Sequence, residues 1–437
     1  MRKNLFKKVL ALTLASTMAF SMAGCGSKGG SSDAKNDDGT ITLNVWHQWS
    51  NDTNELKGKY EEAVKAYEKE NSGVKIKTET LDTEAYKTKI NAEFAGDAKG
   101  IDVFYWWGAG TAKKLVDAGK VMALDDYVTD DVKSKILEGS TSAFEFDGKL
   151  YSVPMFSWYM TLFCNKTMFD KAGATLPTTY DELVDAVKKL KKLDGVTPMA
   201  AGAKDGWNAA FVYQALALRE VGATGVNEML SGNKEFGDEG FKKAAQKVSD
   251  LYEMGAFGDN PLEQGNDDAN AAFENGKAAM RLMGSWFANN VYTDDAATIK
   301  PEEVVALKIP TIADGKGEAT DYCGGFVESF WVNNNTKYKE EAAKFCIYIN
   351  EKMGVASYET GSGFSGWTTP ADESNLNPLF IQIKDLLAEG KQGVLAWDTS
   401  LESEPAAVHN EQVQTLFADG ADIDAFIDEH KAAINGK

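Results

Sequence analysis

Ten tryptophans are the side chains whose type and spacing first suggest chemistry. Trp46 and Trp49 flank His47 and Gln48, Trp106 and Trp107 are adjacent, and Trp158, Trp207, Trp286 and Trp367 follow at wider intervals. A large flat ring with only two side-chain torsions loses little entropy when it becomes a contact surface. Such rings pack against the C–H faces of pyranoses, whose rim hydroxyls then need hydrogen-bond partners once water is excluded. Polar groups available for that task are His47, Gln48, Asp52, Asp82 and Asn208. Ordinary roles compete at each position, core packing for a tryptophan and a solvated loop for a polar side chain. Trp331, inside an apolar run, reads as core.

Catalytic and metal chemistry find less support. The three histidines, His47, His409 and His430, form no HExxH motif, and no GxSxG nucleophile elbow or P-loop occurs. Gly361–Gly366 matches GxGxxG in form, yet Trp367-Thr368-Thr369-Pro370 follows where that motif needs a helix. It therefore reads as a loop. A glycoside hydrolase needs only two placed carboxylates, and 66 acidic residues leave that alternative open. No catalytic residue, cofactor or metal is expected.

The elements that must position these side chains alternate. Ile41 to Trp46 is a β-branched run, Leu56, Tyr60, Val64 and Tyr67 recur on one helical face, and Val74 to Thr78 alternates with period two. That is a βαβ unit. Tyr86, Ile90 and Phe94 mark a second helix, Ile101 to Trp106 a strand and Ala112 to Ala118 a third helix, predicting parallel α/β architecture. Asp147-Gly148 between Ala143–Phe146 and Leu150–Val153 predicts a two-residue hairpin closed by Pro154. Thr179 and Glu182 have capping-box spacing ahead of Leu183, Val187 and Leu190. Further helices fit 209–221 and 241–254, and strands fit 278–282, 304–309 and 326–332.

The N-terminus predicts export. Arg2, Lys3, Lys7 and Lys8 precede an apolar run from Val9 to Phe20 that is too short to span a bilayer as a mature helix. Met22-Ala23-Gly24-Cys25 resembles the bacterial lipobox, with Met22 in place of the usual leucine, and implies a diacylglycerol on Cys25. Residues 1–24 are thus a lipoprotein signal peptide, and 25–39 a polar, flexible tether. Loss of the leader removes four cations and no acid, taking the formal charge from −20 to −24. Nucleic acid and anionic surfaces are poor partners for such a chain. Cys164, Cys323 and Cys346 remain, an odd number that reads as small buried hydrophobes.

Specific segments carry a family resemblance. Phe146-Asp147-Gly148-Lys149-Leu150-Tyr151-Ser152-Val153-Pro154, then Leu162–Lys166 and Phe169, resembles the segment that crosses between lobes in maltose-binding-like receptors. Gly276–Met280 leading to Gly284-Ser285-Trp286 resembles the approach to a sugar-stacking tryptophan, and Gly324-Gly325 with Ala342, Ala343 and Phe345 resembles the second crossing. Ile101–Trp106 resembles the strand whose end opens on the ligand. By these segments the chain resembles family 1 extracellular solute-binding proteins of the carbohydrate-uptake type.

The resemblance implies an α/β fold of two doubly wound lobes joined by three crossings, of periplasmic-binding-protein type II. The N-lobe would be 40–153 and 327–365, and the C-lobe 154–326 and 366–437. It implies a monomeric, non-enzymatic ABC-transporter subunit, lipid-anchored on the outer face of the membrane, that passes a carbohydrate to permease subunits. Adjacent strand residues face opposite ways, so one of Trp106 and Trp107 is expected in the cleft, and the resemblance favours Trp106. Two departures bear on the ligand. Trp158 stands where maltose binders carry a carboxylate, and Gly108-Ala109-Gly110-Thr111 replaces an Asp-Arg pair. More stacking surface with fewer such polar contacts points away from maltose, to another neutral oligosaccharide. The alternatives are a secreted carbohydrate-active hydrolase or a glycan-binding surface protein without a transport role.

Overall fold

In a computed structural model that describes residues 39–51, 55–293, 297–374 and 376–436, the strands are β1 (Ile41–His47), β2 (Val74–Thr80), β3 (Val103–Trp107), β4 (Glu145–Phe146), β5 (Lys149–Leu150), β6 (Phe156–Asn165), β7 (Thr197–Ala200), β8 (Ala278–Gly284), β9 (Val304–Leu307), β10 (Asp321–Val332), β11 (Phe364–Ser365) and β12 (Gln392–Val394). The predicted βαβ unit forms as parallel β1 and β2 around the helix Glu55–Glu70. That helix buries Leu56, Tyr60, Ala63 and Tyr67, a spacing of three to four residues that keeps one face on the sheet. Val64 lies half-buried beside this stripe.

The main sheet runs β2-β1-β3-β10-β6-β8-β7. At one end β1 is parallel to β2 and β3, and at the other β7 is parallel to β8. Between them, β10 runs antiparallel to both β3 and β6. These two long strands join the halves. β6 gives Phe156 to a first hydrophobic core, which also holds Leu43, Val103, Phe330 and Met353. From Trp158 onward it contributes to a second core with Phe163, Tyr213, Met280 and Trp397. β10 makes the same passage from Cys323 in the second core to Phe330 in the first. A third passage follows the helix Lys339–Glu359, where β11 pairs with β6.

Gly324 and Gly325 have φ of +137° and +149°, backbone that L side chains rarely adopt, and a Cβ on Gly324 would lie 2.0 Å from the Trp158 carbonyl oxygen. Glycine is therefore what lets the two connecting strands approach each other. Local signals hold elsewhere: Thr179 and Glu182 form the reciprocal capping box on the helix Tyr180–Leu190. The hairpin turns through Asp147 (φ +50°) and Gly148 (φ +74°), but its paired strands are only two residues each because Ser142–Phe144 is a 3₁₀ turn. The helix predicted at 209–221 continues as Gly206–Leu230, with non-helical Gly222 inside it. Cys164, Cys323 and Cys346 are buried free thiols and Trp331 is fully buried core.

Candidate functional site

A cavity of about 1150 Å³ lies where the two cores face each other, lined by aromatic side chains from both. One wall grows from the carboxyl end of β3, where ligands of α/β sheets ordinarily gather. There Tyr105, Trp106 and Trp107 pair with Phe330, Ser329 and Glu328 of β10. Trp49, just past β1, packs edge-on against Tyr105 at 5.5 Å and Phe330 at 5.9 Å. Asp82 caps the helix Thr83–Ala95 by accepting from the Ala85 amide, which brings its exposed carboxylate and Lys87 to the rim.

The other wall is a connected aromatic cluster. Trp158 of β6 stacks on Phe211 at 5.3 Å and meets Trp286 edge-on at 5.1 Å, while Trp207 stands edge-on to Phe211 at 5.3 Å. The Trp286 ring folds back over the end of β8, where a Cβ on Gly284 would fall 2.0 Å from it. Gly284 thus vacates the space that the indole fills. Among the cavity-lining aromatics Trp107, Trp207 and Trp286 are partly exposed, so their faces are open to a ligand.

Polar groups are set between the walls. Arg281, buried in β8, spends all five N–H groups. Its Nε donates to Asn270 Oδ1, its Nη1 to the carbonyls of Ala200 and Ala201, and its Nη2 to Oδ1 of Asn208 and of Asn266. Asn266 and Asn270 line the cavity, so this buried cation fixes the rotamers of two amides that face the ligand space. Burial lowers the Arg281 pKa to about 9. Lys87 reaches across the opening: its Nζ lies 5.1 Å from the Trp107 ring and 5.9 Å from the Trp207 ring, one on each wall. Asp398, also lining the cavity, has its pKa raised by burial.

Of the residues singled out by sequence, Gln48, Trp49, Asp82, Trp106, Trp107, Trp158, Trp207 and Trp286 line the cavity. Both Trp106 and Trp107 do so, contrary to the either-or expectation, because the strand ends there and its last two residues flank the opening. Trp46, His47, Asn208 and Trp367 are buried outside the lining. His47 accepts from the Trp49 amide at Nδ1 and lies 4.2 Å from the Tyr60 ring, and burial lowers its pKa to about 3. It therefore stays neutral and buttresses Trp49. Asn208 is held by Arg281. Trp367, expected in the second lobe, packs in the first core and donates from Nε1 to the Pro154 carbonyl. Asp52 and Cys25 lie outside the described residues.

Sequence reasoning missed Lys87, Tyr105, Phe211, Asn270, Glu328 and Asp398, all on the lining. The segment Gly108-Ala109-Gly110-Thr111 also gains a physical account. A Cβ on Gly110 would fall 2.2 Å from the Ser400 carbonyl oxygen, and Thr111 Oγ1 donates to the carbonyls of Asp398 and Thr399. Small residues here let the two cores touch beside the cavity.

Residues 50–355 match the bacterial extracellular solute-binding protein family, and the chain belongs to it. A solved protein from work on xylan utilization by the thermophile Caldanaerobius polysaccharolyticus is 36% identical, with a TM-score of 0.86 over 90% of this chain and 100% of its own. A chitin oligosaccharide binding protein shares the fold at 21% identity and a TM-score of 0.82, covering 91% of this chain and 98% of its own. The multiple sugar-binding protein of Streptococcus mutans is 24% identical over 81% of this chain and 80% of its own length.

Proposed function

We propose that this chain is the capture subunit of an ABC-type sugar uptake system. It binds a neutral oligosaccharide between its two aromatic walls and hands it unchanged to a membrane permease, while a lipid on Cys25 keeps it at the cell surface. The observation that carries this reading is a cavity onto which partly exposed tryptophans from both cores converge, with fixed amides between them. Its volume exceeds the roughly 300–1,000 Å³ usual for small-molecule pockets, which suits several sugar units better than one. Carboxylates outnumber ammonium groups on the lining, and the net charge is −20, so an acidic sugar would meet repulsion.

The 36%-identical relative makes xylan-derived oligosaccharides the first to try. Xylo-, chito-, manno- and malto-oligosaccharides are to be titrated while tryptophan fluorescence and product formation are followed together. Saturable quenching by at least one series with the sugar recovered intact is expected. Cleaved product would establish a hydrolase instead, and no response from any neutral oligosaccharide would overturn the reading.

A further inference from the structure

Resting on the reading above, we propose that Glu328, together with Tyr105, is a sugar-hydroxyl acceptor built into the junction of the two connecting strands, and that it couples capture to proton release. Glu328 is 7% exposed and Tyr105 fully buried, yet both line the cavity. The Glu328 carboxyl lies beside the Tyr105 hydroxyl and the Trp107 side chain, but Glu328 Oε2 and the Tyr105 hydroxyl make no hydrogen bond of ordinary geometry within the protein. A buried polar atom without a partner costs roughly 1–3 kcal/mol, more when charged. Both side chains belong to the lining of the ligand space and neither is well satisfied within the protein, so a hydroxyl of the ligand can supply the better partner.

The position is specific. Glu328 pairs with Trp107 of β3 on one side and with Phe156 of β6 on the other, at a register irregularity following Phe326. Its own carbonyl accepts from the Met155 amide, and Gly108 donates to the Val327 carbonyl. A ligand that bonds Glu328 therefore grips the place where the two cores are joined.

The charged and titratable groups around it are few. Lys87 faces it from the helix Thr83–Ala95, and Tyr105 and Trp107 flank it on β3, while its β6 neighbour Phe156 carries no charge. Burial outweighs the pull of these groups and raises the carboxyl pKa to about 7. Sugar hydroxyls donate best to the ionised form, so binding lowers this pKa and expels the proton that neutral water leaves partly in place. Affinity must then rise with pH through the value of the free protein and level off above it. Stability of the free protein moves the other way: a carboxyl whose folded pKa is raised loses stabilisation as pH climbs from its ordinary value towards 7.

The test compares wild type with Glu328→Gln and Tyr105→Phe, using the tightest-binding oligosaccharide of the panel. Wild-type affinity should increase by up to about tenfold between pH 6 and pH 8. In Glu328→Gln the profile should be flat and affinity at pH 8 at least about tenfold weaker. The same variant should melt higher than wild type at pH 8, with the difference vanishing at pH 5. Tyr105→Phe should weaken binding and keep the pH slope. Unchanged affinity and slope in a folded Glu328→Gln protein would overturn the proposal while leaving sugar capture intact. A wild type that binds no neutral sugar would overturn both.

Discussion

The side chains that matter most at the cavity are held by residues that never touch it. Gly284 leaves the space in which the Trp286 indole lies, Arg281 fixes Asn266 and Asn270, and neutral His47 supports Trp49. Truncating Trp286 to Ala removes a partly exposed stacking face, so affinity for the bound oligosaccharide should fall by about 2 kcal/mol, roughly thirtyfold. Gly284→Ala should do similar damage without touching the indole itself, because the new methyl group displaces the ring. Calorimetric titration of both variants checks this, with circular dichroism showing the fold retained. A Gly284→Ala protein that binds like wild type would mean that the Trp286 face is not used.

Residue identity was legible where chemistry is local. The tryptophans after β1, at the end of β3 and after Gly284-Ser285 announced themselves by type and position. Glu328 did not, although a lone carboxylate in the apolar run Phe326–Val332 was a signal of buried charge. Its meaning depends on register with β3 and β6, which the sequence of one strand does not carry. Lys87 and Asp398 reach the cavity from segments far apart in the chain, and Trp46 and Trp367 are tryptophans of the expected kind absorbed by the first core.

At the scale of elements, β6 and β10 are the structural link, and their contact is set by Gly324. Its φ of +137° and the 2.0 Å approach of a hypothetical Cβ to the Trp158 carbonyl leave no room for a side chain. Gly324→Ala should destabilise the protein by about 1–3 kcal/mol through backbone strain and steric overlap. Binding should weaken as well, since the strand pushed aside carries Trp158. Chemical denaturation and titration of the same variant read the two effects. The βαβ alternation, the capping box on Tyr180–Leu190 and the hairpin turn at Asp147-Gly148 were all readable from periodicity and turn chemistry. That β10 extends back to Asp321 and changes partners along its length was not, because pairing between strands so far apart in the chain leaves no local pattern.

For the whole molecule, a neutral sugar touching both aromatic walls is proposed to stabilise the arrangement in which they face each other. Trp49, Trp106 and Trp107 stand on one side and Trp158, Trp207 and Trp286 on the other. A ligand that contacts both walls binds the closed arrangement more tightly than an open one, and only that difference in affinity can shift the population. Hinge movement about a few strand residues is the ordinary means by which two-lobed binding proteins do this. Thr111, bonded to the Asp398 and Thr399 carbonyls beside the cavity, supplies a contact that closure would complete. The most direct measurement is small-angle scattering of residues 40–437 with and without the tightest-binding oligosaccharide of the panel. A smaller radius of gyration at saturation is expected, equally at low and high salt, because the proposed ligand carries no charge. A saturated protein as extended as the free one would contradict it.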